Sequence, residues 1–201
     1  MTHFDFYFDP VCPFAWAASR WLRDRAAAHG ADVDVDWHLM SLAILNEDEE
    51  PESDEQRRQL ETARRLGRVV AAASAKAGVD AIDPLYTALG KRIHHAGDEM
   101  TPAVVSEVLA EAGLPAELAD AMDDASFDDA VRESHQRGQD ALGEDGGSPI
   151  LGIDGTFFFG PVLADLPTGD EAEALYSSLV ALAGTSTFAQ LKRPADPPTF
   201  S

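Results

Sequence analysis

The chain of 201 residues sets 15 Lys and Arg against 36 Asp and Glu, a formal net charge of -21 at pH 7. Nucleic acid and anionic membrane surfaces would both repel such a chain, so neither is expected as a partner. A single cysteine excludes an internal disulfide and fits a reducing compartment.

The first element is legible at once. From His3 to Asp9, Phe4, Phe6 and Phe8 alternate with Asp5, Tyr7 and Asp9, the period-two signature of a strand. Pro10-Val11-Cys12-Pro13 follows, with Pro13 suited to a first helical turn, where its missing N–H costs nothing. Phe14, Ala17, Ala18, Trp21 and Leu22 then fall on one helical face, and Gly30 ends the helix. Cys12 is therefore expected to cap a helix N-terminus. Free backbone N–H groups and the helix dipole there should lower its pKa and favour the nucleophilic thiolate. An inert buried cysteine is the alternative.

Val33, Val35, Trp37 and Leu39 alternate with Asp34, Asp36 and His38 in a second strand, parallel to the first because a helix joins them. The acidic stretch from Asn46 to Asp54 reads as a loop. A helical block follows: Gln56 to Ala77 ending at Gly78, a helix opened by Asp83-Pro84, and one opened by Thr101-Pro102 and ended by Gly113. Helices over Pro115 to Asp123 and Ser126 to Leu142 complete it. Ile150 to Ile153 and Thr156 to Phe159 form a hairpin about Asp154-Gly155. Thr168-Gly169-Asp170-Glu171 reads as a capping box for a last helix that buries Ala172, Leu175, Tyr176 and Leu179. The proline-rich tail from Pro194 is expected to lie along the surface.

The resulting order of strand, helix, strand, helical block, strand, strand and helix resembles a thioredoxin fold. It is an α/β fold with an α-helical insertion between the second and third strands. Residues 1–45 and 146–193 would make the thioredoxin-like domain, 46–145 the insertion and 194–201 the tail. The chain also resembles the DsbA-like oxidoreductases, and among them the mycothiol-dependent nitroreductase group. The resemblance runs through Asp9-Pro10-Val11-Cys12-Pro13, Ser19-Arg20-Trp21 and the run from His38 to Asn46. It continues through the run from Asp83 to Ala88, Arg92-Ile93-His94, Gly113 to Leu118, Gly143-Glu144-Asp145 and Phe158 to Leu163.

The resemblance implies a thiol-dependent oxidoreductase with Cys12 as nucleophile, no tightly bound cofactor, and mycothiol or a similar low-molecular-weight thiol as co-substrate. Where that family carries Cys-Pro-Trp-Cys, this chain reads Cys12-Pro13-Phe14-Ala15. Ala15 cannot resolve a mixed disulfide, so monothiol chemistry is expected, on a small-molecule or mixed-disulfide substrate. The resemblance further implies a cis Ser148-Pro149 bond facing Cys12. Pro13, Phe14, Trp16, Ser148, Pro149, Arg92 and His94 are the expected thiol-binding residues, with Trp21 in the core and Ser19 or Ser148 near the sulfur. A kappa-type thiol transferase or isomerase, or a redox-inactive thiol- or client-binding module, are the alternatives. Metal binding is not expected, because the six histidines show no His-x-x-x-His spacing and there is no Cys-x-x-Cys. The first residues show neither a basic region nor an apolar run, and cytoplasmic residence is the expectation. Oligomeric state is left open, a homodimer included.

Overall fold

A computed structural model describes residues 1–200. Its centre is a four-stranded sheet in the order β2-β1-β3-β4. β1 (Thr2–Phe8) runs parallel to β2 (Val33–Leu39), pairing Phe4 with Val35 and Phe8 with Leu39. β3 (Ile150–Ile153) lies antiparallel to β1, and β4 (Thr156–Phe159) antiparallel to β3. At the β3–β4 turn, Asp154 and Gly155 both take positive φ, the demand of a tight two-residue hairpin with the twist of its strands.

The helix α1 (Pro13–His29) crosses from β1 to β2, and α7 (Gly169–Ala183) packs beside it on the phenylalanine face of β1. The Trp21 indole N–H donates to the Ala172 carbonyl at 3.0 Å, and Tyr176 meets Phe4 at 5.9 Å between ring centres. Between β2 and β3 lie α2 (Leu42–Leu45), α3 (Asp54–Ala77), α4 (Ile82–Gly90), α5 (Pro102–Glu111) and α6 (Asp128–Leu142). This block shares the core of the sheet. Tyr86 of α4 stacks on Phe8 at 3.7 Å, so the insertion is fastened directly behind the end of β1. On the opposite face, α6 covers Tyr7 by placing Gly138 against its ring, where a Cβ would approach to 2.8 Å.

Several local expectations are corrected. Pro115 to Asp123 is a 3-10 helix over Ala116–Asp123 rather than an α-helix. Asp83 does not cap α4; the helix starts earlier, at Ile82, and the Asp83 carboxylate instead pairs with Arg23 at 2.9 Å. Thr168 occupies the N-cap position of α7 without a side-chain bond to the helix, so the capping box is not formed. Leu175 and Leu179 are half-buried, while Ala172 and Tyr176 carry the packing. The tail is anchored rather than merely superficial: Pro198 is buried and Phe200 packs on His94 and His95 at 5.8 and 5.4 Å. Among the described residues no helix is long and apolar enough to cross a membrane.

Candidate thiol site

The end of β1 and the head of α1 place the only sulfhydryl. Cys12 is the N-cap of α1, with extended backbone, and Pro13 fills the first helical position. The Ala15 N–H donates to Cys12 Sγ at 3.5 Å. From the other side, the Cys12 thiol donates to the carbonyl oxygen of Ser148 at 3.2 Å. The Ser148-Pro149 peptide is cis, as is Gly160-Pro161 further along, a bond the sequence reading did not single out. Ser148 also ties this loop to β1, its hydroxyl accepting the Asp9 N–H at 2.9 Å. The structure thus brings together Cys12, Pro13, Ser148 and Pro149, with Phe14 half-buried next to the thiol in sequence.

The expected thiolate is not what the surroundings favour. Cys12 is only 6% exposed, and burial pushes its thiol up from the ordinary value. The Ala15 and Phe14 N–H groups and the contact with Ser148 pull the other way, while the negative charge of Asp9 adds to the rise. Removal from water costs the charged form more than a few N–H dipoles return. The resting site therefore holds a protonated, sheltered thiol.

Asp9 is a site residue that sequence reading did not single out. Its side chain is fully buried, with Oδ1 accepting the Val11 N–H at 2.9 Å and Oδ2 the Leu42 N–H at 2.7 Å. Burial raises its carboxyl to about 6, with those two bonds opposing the rise. The available signal was a carboxylate placed at the end of a phenylalanine-rich strand and immediately before a proline. Its two acceptor oxygens hold the turn carrying Cys12 against the start of α2.

Trp16, Arg92 and His94, expected at the thiol site, are each engaged with other groups of the fold. Trp16 is 1% exposed and has almost no surface for a ligand. Its ring lies against Gly90, where a Cβ would come within 2.1 Å, and the Arg20 guanidinium sits 4.1 Å above it. The Arg92 guanidinium is committed to Asp98, Glu107 and Glu111 at 3.1, 3.0 and 2.7 Å. His94 is pushed down to about 4 by burial, so it is neutral at physiological pH and offers no positive charge. Its Nε2 instead meets the Pro10 carbonyl at 3.0 Å, and its ring stacks on Trp16 at 5.6 Å. His94 and Trp16 thus brace the loop from behind. Trp16 also donates its indole N–H to His95 Nε2 at 3.1 Å. Ser19 points elsewhere, donating to the Trp16 carbonyl at 2.7 Å.

Comparison with known proteins places this geometry. Residues 11–193 match the model of a family described as Rv2466c-like, Mycothiol-dependent nitroreductase Rv2466c. The chain is 36% identical over 201 residues to the Uncharacterized protein Rv2286c of Mycobacterium tuberculosis, covering 98% of this chain and 84% of that one. Among solved structures, a probable DsbA oxidoreductase from Streptomyces coelicolor superposes with TM-score 0.62 at 17% identity, over 96% of this chain and 94% of that chain. The cytosolic disulfide reductase DsbM from Pseudomonas aeruginosa gives TM-score 0.56 at 20% identity, over 90% of this chain and 99% of that chain. At such identities these two structures establish a shared DsbA-like fold. The family match, in contrast, runs from the thiol loop through the insertion and past the closing strands, and on that ground the chain belongs to the Rv2466c-like mycothiol-dependent nitroreductase family of thiol-dependent oxidoreductases.

Proposed function

We propose that the chain is a cytosolic monothiol oxidoreductase that uses Cys12 as nucleophile and a low-molecular-weight thiol, mycothiol in the first place, as co-substrate. One observation carries the reading: the sole sulfur stands at a helix N-terminus opposite a Ser148-Pro149 loop, with Ala15 where a resolving cysteine would be needed. In the first step Cys12 sulfur attacks a disulfide R–S–S–R′, forming Cys12–S–S–R and releasing R′–S–H, which carries away the thiol proton. A second molecule R–S–H then attacks the R sulfur, giving R–S–S–R and restoring the Cys12 thiol. In sum R–S–S–R′ and R–S–H give R–S–S–R and R′–S–H: the R′ sulfur leaves as a thiol and one low-molecular-weight thiol is taken into disulfide in its place.

The thiol assignment is supported by the family's description, and by the DsbM structure solved with GSH, whose fold this chain shares. Pro13, Phe14, Ser148 and Pro149 are the residues in place to receive the R group. The sheltered resting thiol suits a nucleophile that is unmasked when a disulfide displaces the Cys12 contact with Ser148.

Intact-mass spectrometry after parallel incubation with oxidised mycothiol, glutathione and bacillithiol tests this. A single adduct is expected on the wild type, formed fastest with mycothiol, and none on Cys12→Ser. If no disulfide yields an adduct, the protein is a binding module. A thiol- and electrophile-dependent thioether product, made without an adduct, would make it a transferase.

A further inference from the structure

We infer that the outer face of β1 and β2 carries a divalent metal site, built from His3, Asp5 and Asp36 and suited to zinc. Asp36, on β2, is far in sequence from His3 and Asp5, which share β1. They meet because the parallel register sets His3 opposite Asp34 and Asp5 opposite Asp36, and because alternate residues share a face. His3 Nε2 lies 3.6 Å from Asp5 Oδ2 and 3.7 Å from Asp36 Oδ2, and one ligand atom from each of the three residues falls within 4.8 Å of the others. Ligand atoms about 2.1 Å from one ion at a tetrahedral angle are about 3.4 Å apart, so the two edges at His3 need little adjustment, while the edge between the carboxylates, within 4.8 Å, would shorten on binding. One imidazole nitrogen with two carboxylates suits zinc, and water would complete the coordination.

The groups behind the ligands make this more than a cluster of acids. Asp34 Oδ2 holds His3 Nδ1 at 3.3 Å, which leaves Nε2 as the atom turned toward Asp5 and Asp36. A carboxylate on the far nitrogen is the usual support of a metal-ligating histidine, fixing both tautomer and ring orientation. Asp5 is supported in the same way. His38 Nε2 meets Asp5 Oδ1 at 3.0 Å and leaves Oδ2 for the ion, while the His38 ring stacks on Tyr7 at 4.6 Å. The backbone beneath is pinned too, since His3 N–H donates to Asp154 Oδ1 and His3 O accepts the Asp154 N–H, both at 2.9 Å.

The sheet also has a reason to take up a cation here. Like charges directly opposite on paired strands are destabilising, and Asp5 faces Asp36 across β1 and β2. An ion shared by both carboxylates converts that repulsion into two bonds. A search for histidine pairs at helical spacing passes over such a site, because its ligands alternate along two strands.

Zinc binding by the full-length chain, measured by competition with a chromophoric chelator under reducing conditions, tests the site. One equivalent is expected to bind to wild type and equally to Cys12→Ser, which removes the thiol as a rival ligand. His3→Gln and Asp36→Asn, both on the solvent face, are each expected to weaken binding about tenfold or more, with unchanged circular dichroism. Zinc should also raise the melting temperature of wild type and leave that of His3→Gln unmoved. Absence of saturable binding overturns the assignment, as does full affinity in either surface variant or its loss in Cys12→Ser.

Discussion

Replacing Ala15 by cysteine is expected to turn a protein that halts at a mixed disulfide into one that clears it unaided. Positions 12 and 15 lie one helical turn apart, and the Ala15 N–H already reaches Cys12 Sγ at 3.5 Å. Residues so placed are within the separation that a disulfide spans. In wild type the only exit from Cys12–S–S–R is attack by an outside thiol. In Ala15→Cys the new sulfur attacks Cys12 Sγ, closes a disulfide and expels R–S–H. With one equivalent of oxidised thiol, wild type should therefore show the adduct mass, whereas the variant should show no adduct and a loss of two hydrogens. Ala15 is fully buried, so the extra sulfur costs about 1–3 kcal/mol of packing, and a melting curve on the reduced variant checks that it folds. Retention of the adduct by a folded variant would mean that the two positions do not come within the reach that intramolecular resolution requires.

How much of this was legible in the sequence depended on the range of the interactions concerned. The first strand, expected over His3 to Asp9 and formed over Thr2–Phe8, the proline at the head of α1 and the Asp154-Gly155 hairpin are set by period, ring constraint and turn chemistry, all local properties, and each forms within a residue of its expected place. The caps at Asp83 and Thr168 were also read locally, yet both fail. Asp83 is drawn to Arg23 on α1, a partner 60 residues away, which no local rule can weigh. The site divides in the same way. Cys12 and the Ser148-Pro149 loop could be placed by their neighbours in sequence and by resemblance. The fates of Arg92 and His94 depended on Glu107, Glu111 and the Pro10 carbonyl, which only the fold brings to them.

The sulfur itself gives the sharpest instance. A cysteine at a helix N-terminus reads as a low-pKa thiolate, and the N–H groups that would make it so are present. What the reading lacked was the depth of the site. Cys12 is buried in the same hydrophobic core as Trp16 and Tyr86 and the Ser148 loop meets its sulfur, leaving it too little water to ionise readily. Burial is a property of the whole packing, so its sign against the dipole could not be read from the motif.

Asp9→Asn is expected to shift both stability and thiol reactivity, in directions that follow from one buried carboxyl. Folding lifts Asp9 from 3.8 to about 6, because the charged form is taken out of water. A raised acid favours the folded state while it is protonated, below its unfolded value, and that contribution is lost as pH rises through the folded value. The loss amounts to about 3 kcal/mol for a rise of this size. Asparagine carries no charge at any pH and escapes it. Chemical denaturation at about pH 4 and about pH 7.5 should therefore show the gap between wild type and variant moving in favour of the variant by up to about 3 kcal/mol. An offset of about 1–3 kcal/mol against the variant is expected at both, because an amide has one acceptor for the two N–H groups of Val11 and Leu42. The ionised Asp9 also helps to hold the Cys12 thiol up, so the midpoint of Cys12 alkylation should fall in the variant while burial keeps it above the ordinary value. A stability gap that does not change with pH, together with an unmoved alkylation midpoint, would show that Asp9 is a turn-holding group with no electrostatic hand on the thiol.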